Sequence, residues 1–233
     1  MHRLACGVLV AFMFHAHSAL PGEKTDDPRE ALQALQDYIG GWKGSGTSER
    51  NKSEIWKEKA SWSWRFPKGK DPFLAVEMTE SKTFKSGEVR YLPKKSFYEL
   101  TLTDCKDKKQ IFEGTLKKDA LILERLDADT KDTQQLKINT AGGGLRLVMT
   151  FSVKPDGRTL FSKQFQIAYT KEGESFGAEA KKNECVVTGG LGTMTVSYMG
   201  QTYYVCCSGC RDAFNENPAK IIKEYLVKKK AGQ

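Results

Sequence analysis

Four cysteines crowd the C-terminal end of this 233-residue chain: Cys185, Cys206, Cys207 and Cys210. Thiols in such a group can do three kinds of chemistry. They can bind a soft metal ion as thiolates, staple a small fold as disulfides, or exchange disulfides with a partner. The spacing narrows the geometry. Cys206 and Cys210 are separated by three residues, two of them Ser208 and Gly209, which permit a turn from a strand end into a helix. A strand end followed by the first turn of a helix lets both sulfurs face one point. Cys185, with twenty residues between it and Cys206, returns to the same place if the intervening segment folds back on itself. A helix N-terminus also favours the thiolate over the thiol. Cys207, next to Cys206, is expected to point away, though it could serve as a reserve ligand or a redox partner. Cys105, between Asp104 and Lys106 at a strand end, reads as a bystander thiol.

The segments around these cysteines must do the positioning. Met194, Val196 and Tyr198 alternate with Thr195 and Ser197, which predicts a strand. Met199-Gly200 supplies a hairpin turn, and Thr202 to Val205 is the return strand that delivers Cys206. A helix carrying Cys210 and Phe214 follows. Asn217 then caps a second helix with Pro218 in its first position and Ile222, Tyr225 and Leu226 as its apolar stripe. So small a unit has too few core residues to stand without a metal, a disulfide or a larger domain to lean on.

Upstream the texture is different. Asp27-Pro28-Arg29-Glu30 opens a helix with Leu32, Leu35 and Ile39 on one face and Gly40-Gly41 at its end. From Trp42 to about Thr170 apolar residues alternate with polar ones, as in Trp62, Trp64 and Phe66, in Leu74, Val76 and Met78, in Tyr98, Leu100 and Leu102, and in Leu145 through Val153. Turn residues recur at short intervals, at Lys85-Ser86-Gly87, Ala141 to Gly144 and Pro155-Asp156-Gly157. Nine or ten short antiparallel strands in sequence predict an up-and-down meander closed into a barrel. Trp42, Trp56, Trp62 and Trp64 could line a pocket for a small apolar ligand or simply fill the core. Asp127 and Asp129 sit in a polar turn and read as solvated.

At the N-terminus, Arg3, an apolar stretch from Leu4 to Phe14 and small residues through Ala19 have the order of a secretory signal peptide. The expectation is therefore an exported protein, periplasmic or secreted, without a membrane span. All three histidines (His2, His15, His17) lie in that segment. Once it is removed, histidine general-base chemistry and a Ser-His-Asp triad are excluded, and no other catalytic constellation is visible. The chain carries 37 Lys and Arg against 29 Asp and Glu. The excess is dispersed apart from Lys228-Lys229-Lys230, which reads as a solvated helix end, so no nucleic-acid partner is expected.

Two resemblances add to this. The spacing Cys185-x20-Cys206-x3-Cys210, together with Tyr198-x-Gly200, the run Tyr203 to Cys210, Phe214 and Asn217-Pro218, resembles the YHS/TRASH family of small cysteine domains associated with heavy-metal trafficking, resistance and sensing. The likeness covers residues 183–226. It implies Cys185, Cys206 and Cys210 as metal ligands. Thr188 stands where many relatives carry a cysteine, Val186 where a proline is frequent, and no histidine is present. Three thiolates suit Cu(I) or Hg(II), whereas Zn(II) wants a fourth ligand. More weakly, the opening helix followed by Gly40-Gly41-Trp42 resembles the start of a lipocalin-like barrel over residues 28–172.

The whole chain then reads as mainly β. A signal peptide spans 1–19, an up-and-down lipocalin-like barrel with an N-terminal helix spans 28–172, and a linker spans 173–182. A small α+β cysteine module of one β-hairpin and two short helices spans 183–228. The expected function is non-enzymatic binding of a soft metal ion, Cu(I) or Zn(II), for trafficking, sequestration or sensing. Disulfide stapling beneath a ligand-binding barrel, and a redox role for the cysteines, stay open as alternatives.

Overall fold

The structure is a computed structural model and describes residues 25–173 and 183–231. The segment expected to be a signal peptide and nearly all of the expected linker lie outside the described residues. None of the described helices is long and apolar enough to cross a membrane.

Ten antiparallel strands form a closed barrel: β1 (Gly40–Ser48), β2 (Ile55–Arg65), β3 (Phe73–Thr79), β4 (Phe84–Leu92), β5 (Phe97–Asp104), β6 (Lys109–Lys117), β7 (Ala120–Leu126), β8 (Thr133–Ala141), β9 (Arg146–Lys154) and β10 (Ser162–Lys171). Each pairs with its neighbours in sequence, and β1 closes on β10, with Trp42 opposite Lys171 and Gly46 opposite Ile167. This is the expected meander, with two strands more than the eight typical of lipocalins. Closure leaves no sheet edge along the barrel wall.

The alternation read from the sequence sorts the side chains correctly. On β2, Trp56, Glu58, Ala60, Trp62 and Trp64 are buried, while Ile55, Lys57, Lys59 and Ser61 are exposed. The four tryptophans are core: none is more than 7% exposed. Two inward glycines of β1 make room for the large rings. A Cβ on Gly44 would stand 2.5 Å from the Tyr169 ring, and one on Gly46 would stand 2.1 Å from Trp56. Glu58 shares this interior. Its carboxylate accepts hydrogen bonds from the Trp56 indole N–H (2.7 Å), the Ser81 hydroxyl (3.0 Å) and the Tyr169 hydroxyl. Three donors satisfy a carboxylate that would otherwise be costly to bury.

Helix α1 (Pro28–Gln33) is shorter than the sequence suggests. It gives way to a 3₁₀ turn at Gln36–Tyr38, and Gly40-Gly41 opens β1 rather than ending the helix. Asp27 caps α1 by accepting the Arg29 N–H at 2.8 Å, but Glu30 does not complete a capping box and instead accepts from Thr25. Leu32, Leu35 and Ile39 are all buried as expected. They pack α1 and the following turn onto the barrel, where Tyr98 and Tyr38 donate their hydroxyls to the carbonyls of Ala31 (2.8 Å) and Ile138 (2.9 Å). Asp127 and Asp129 lie in the turn between β7 and β8. Asp127 braces its turn by accepting the N–H groups of Asp129 and Thr130 and the Arg125 guanidinium, and these backbone N–H groups hold its carboxyl below the usual range.

Beyond residue 183 the expected small unit follows: a hairpin of β11 (Met194–Tyr198) and β12 (Gln201–Val205), then α2 (Ser208–Glu216) and α3 (Pro218–Ala231). Met199 and Gly200 both have positive φ, as a two-residue hairpin turn requires. The Asn217 side chain accepts the Lys220 N–H at 3.2 Å and so caps α3. The expected stripe on α3 is only partly realised. Ile221, Ile222 and Tyr225 are half-buried, whereas Leu226 is 49% exposed.

Candidate metal centre

Each cysteine of the cluster is delivered by a different local device. Cys185 lies in an isolated parallel bridge with Tyr204, so the segment before the hairpin is pinned to the return strand β12. The N–H of Val186 donates to the Tyr204 carbonyl at 2.9 Å. Cys206 directly follows β12. Cys207 has extended backbone and is the residue that precedes α2, and Cys210 sits in its first turn. The sulfurs of Cys185, Cys206 and Cys210 all lie within 4.8 Å of one another, and all three residues are buried. The convergence expected from the spacing is therefore present. Cys206 and Cys210 are 3.4 Å apart at sulfur, well beyond a disulfide bond, and all four cysteines are free thiols.

The expectation that Cys207 points away is corrected. It is buried, its sulfur is 3.9 Å from that of Cys206, and it accepts a hydrogen bond from the backbone N–H of Trp64 at 3.4 Å. That donor belongs to the barrel. The last pairing of β2 with β1 is Trp62 with Gly40, so Trp64 has no ladder partner on that side. The start of α2 takes the vacant place, and it approaches so closely that a Cβ on Gly209 would lie 1.8 Å from the Trp64 carbonyl oxygen. Helix α1 holds the other side: Arg29 donates to the Val187 carbonyl and Gln33 to the Thr188 carbonyl (2.9 Å). Gln36 accepts from the Trp64 indole at 3.1 Å. None of this second layer was named from the sequence. No residue type in Trp64, Arg29 or Gln33 signals that its partner lies more than a hundred residues away.

The electrostatics follow from crowding. Hydrogen bonds from the Cys206 and Cys210 thiols, with further help from Thr188, hold Cys185 below its ordinary thiol range. Cys207 is lowered in the same way by Cys206 and Cys210, and by the backbone N–H groups of Cys210 and Trp64. The donors Cys206 and Cys210 are pushed up by those same contacts, with burial adding to them. A soft cation binding here would displace the thiol protons that these crowded sulfurs now share. Thr188 is buried beside it, its hydroxyl 3.5 Å from the Cys206 sulfur. Cys105 is exposed after β5, near the carbonyl of Ser81, and takes no part.

No protein-family model matches the chain, and no curated protein matches it. Among solved structures, it is similar to the crystal structure of Rv2717c from M. tuberculosis, at 18% identity, over 61% of this chain and 97% of that one, with a TM-score of 0.38. At that score the likeness says nothing about the site.

Proposed function

We propose that this is an exported, non-enzymatic protein that binds a soft metal ion through Cys185, Cys206 and Cys210, in the manner of YHS/TRASH domains, for trafficking, sequestration or sensing. The observation that carries this reading is the convergence of three buried sulfurs within 4.8 Å of one another from three separate points in the chain. Thiolate-rich sites select Cu(I) and Zn(II) over hard cations such as Mg(II) and Ca(II). The barrel contributes a rigid support rather than a catalytic centre. Its interior is occupied by Trp42, Trp56, Trp62, Trp64 and the Glu58 network, which argues against the alternative of an apolar ligand held inside it.

The deciding experiment is elemental analysis of the full protein purified without chelator, with thiol titration of the denatured chain. About one equivalent of Cu or Zn is expected, lost in Cys206→Ser. Unchanged stoichiometric uptake by Cys206→Ser would sink the assignment. A metal-free protein whose four clustered thiols are oxidised would instead favour the disulfide-stapled reading.

A further inference from the structure

Resting on the metal-binding reading, we infer that the site is a four-sulfur site, with Cys207 as the fourth thiolate and the backbone N–H of Trp64, on the barrel, as the hydrogen-bond donor to it. The metal class that follows is a tetrahedral divalent d¹⁰ ion of the zinc type rather than three-coordinate Cu(I).

Two buried side chains flank Cys206 and could complete the site: Thr188, with its hydroxyl at 3.5 Å, and Cys207, with its sulfur at 3.9 Å. Four thiolates at the usual Zn–S distance of about 2.3 Å stand about 3.8 Å apart in a tetrahedron. The separation of Cys206 and Cys207 matches that edge, and the 3.4 Å between Cys206 and Cys210 lies a little under it. Chemistry decides between the two flanking groups. A neutral hydroxyl is a hard, weak donor to a soft ion, while Cys207 is a thiol already held as an acceptor. The close-set trio is Cys185, Cys206 and Cys210. Cys207 lies outside that trio, so closing the fourth vertex asks its side chain to turn toward it from the position anchored by the N–H of Trp64.

The surrounding N–H groups fit four charges. A zinc ion with four thiolates carries a net charge of −2, which a buried site tolerates only with donors aimed at the sulfurs. The Thr188 N–H faces Cys185, and the N–H groups of Cys210 and Trp64 face Cys207. The start of α2 adds the positive end of its dipole. One of these donors comes from β2, so the metal site and the barrel share a hydrogen bond.

X-ray absorption on the zinc-loaded full protein in a Cys105→Ser background tests this, because every remaining cysteine except Cys6 of the N-terminal segment then belongs to the cluster. Four sulfur scatterers are expected in the parent, four in Thr188→Val, and three with one lighter atom in Cys207→Ser, with at least a tenfold weaker zinc affinity. Three sulfurs with one lighter atom in the parent itself would overturn the inference while leaving the three-cysteine reading intact, and this count does not depend on any variant of Cys207 folding. Failure of the parent to take up zinc in any coordination would overturn the inference, and failure to take up Cu(I) as well would remove the three-cysteine reading with it.

Discussion

At the scale of single residues, the barrel shows how much depends on what is missing from a side chain. Gly46 and Gly44 face inward beside the bulkiest rings of the core, where a methyl group has no room. A Cβ at 2.1 Å from the Trp56 ring cannot be relieved by a flexible chain end, since that indole is also tied to Glu58 at 2.7 Å. Gly46→Ala should therefore destabilise the protein by about 1–3 kcal/mol despite the usual β-strand gain from replacing glycine. Urea unfolding followed by tryptophan fluorescence would read this out, and an unchanged midpoint would show that the interior can shift to accept it. The same scale contains the metal question, where Cys206→Ser and Cys207→Ser separate an essential sulfur from the one that completes the coordination.

At the scale of elements, the decisive contact is α2 against the end of β2. Gly209 lies within α2, where alanine would ordinarily gain about 1 kcal/mol of helix propensity. Here the same methyl would sit 1.8 Å from the Trp64 carbonyl oxygen, and backbone atoms on both sides prevent a local escape. The clash outweighs the propensity. Gly209→Ala should leave helix content intact but push α2 off β2 and break the hydrogen bond from Trp64 to Cys207. The expected result is weaker metal retention, measured by competition with a chromophoric chelator. Retention equal to the parent would mean that the docking of α2 does not support the site.

At the scale of the whole molecule, stability should depend on alkaline pH through buried tyrosines. Burial raises Tyr98 from its ordinary 10.0 to about 12, and burial pushes Tyr38 and Tyr169 still higher. The folded protein holds these phenolic protons more tightly than the unfolded chain. Their stabilising contribution is complete below pH 10.0 and is lost as pH climbs through about 12. Urea midpoints should fall across that window, with Tyr98→Phe flattening its lower part. A midpoint independent of pH there, or tyrosinate absorbance appearing before unfolding, would contradict it. Tyr98 and Tyr169 stand on barrel strands and Tyr38 in the turn packed against the barrel, so this dependence should be the same with and without bound metal.

The amino-acid sequence by itself determined a great deal of this protein, because the signals concerned are local or periodic. Alternation along each strand fixed which side chains face the core, and short turns between consecutive strands left an up-and-down barrel as the simple solution. Met199-Gly200, Asn217-Pro218 and the spacing of Cys185, Cys206 and Cys210 specified the hairpin, the cap and the convergence of three sulfurs. Glu58 was also legible in principle, since it keeps phase with Trp56, Ala60 and Trp62. Only the tertiary structure decided where Cys207 points and what it touches. That depends on β1 beginning only at Gly40, which leaves Trp64 without a ladder partner on that side, and on Gly209 letting α2 close over the vacant edge. A period of two tells which face of a strand is buried. It carries no information about which backbone N–H groups lack a partner, or which distant segment arrives to satisfy them.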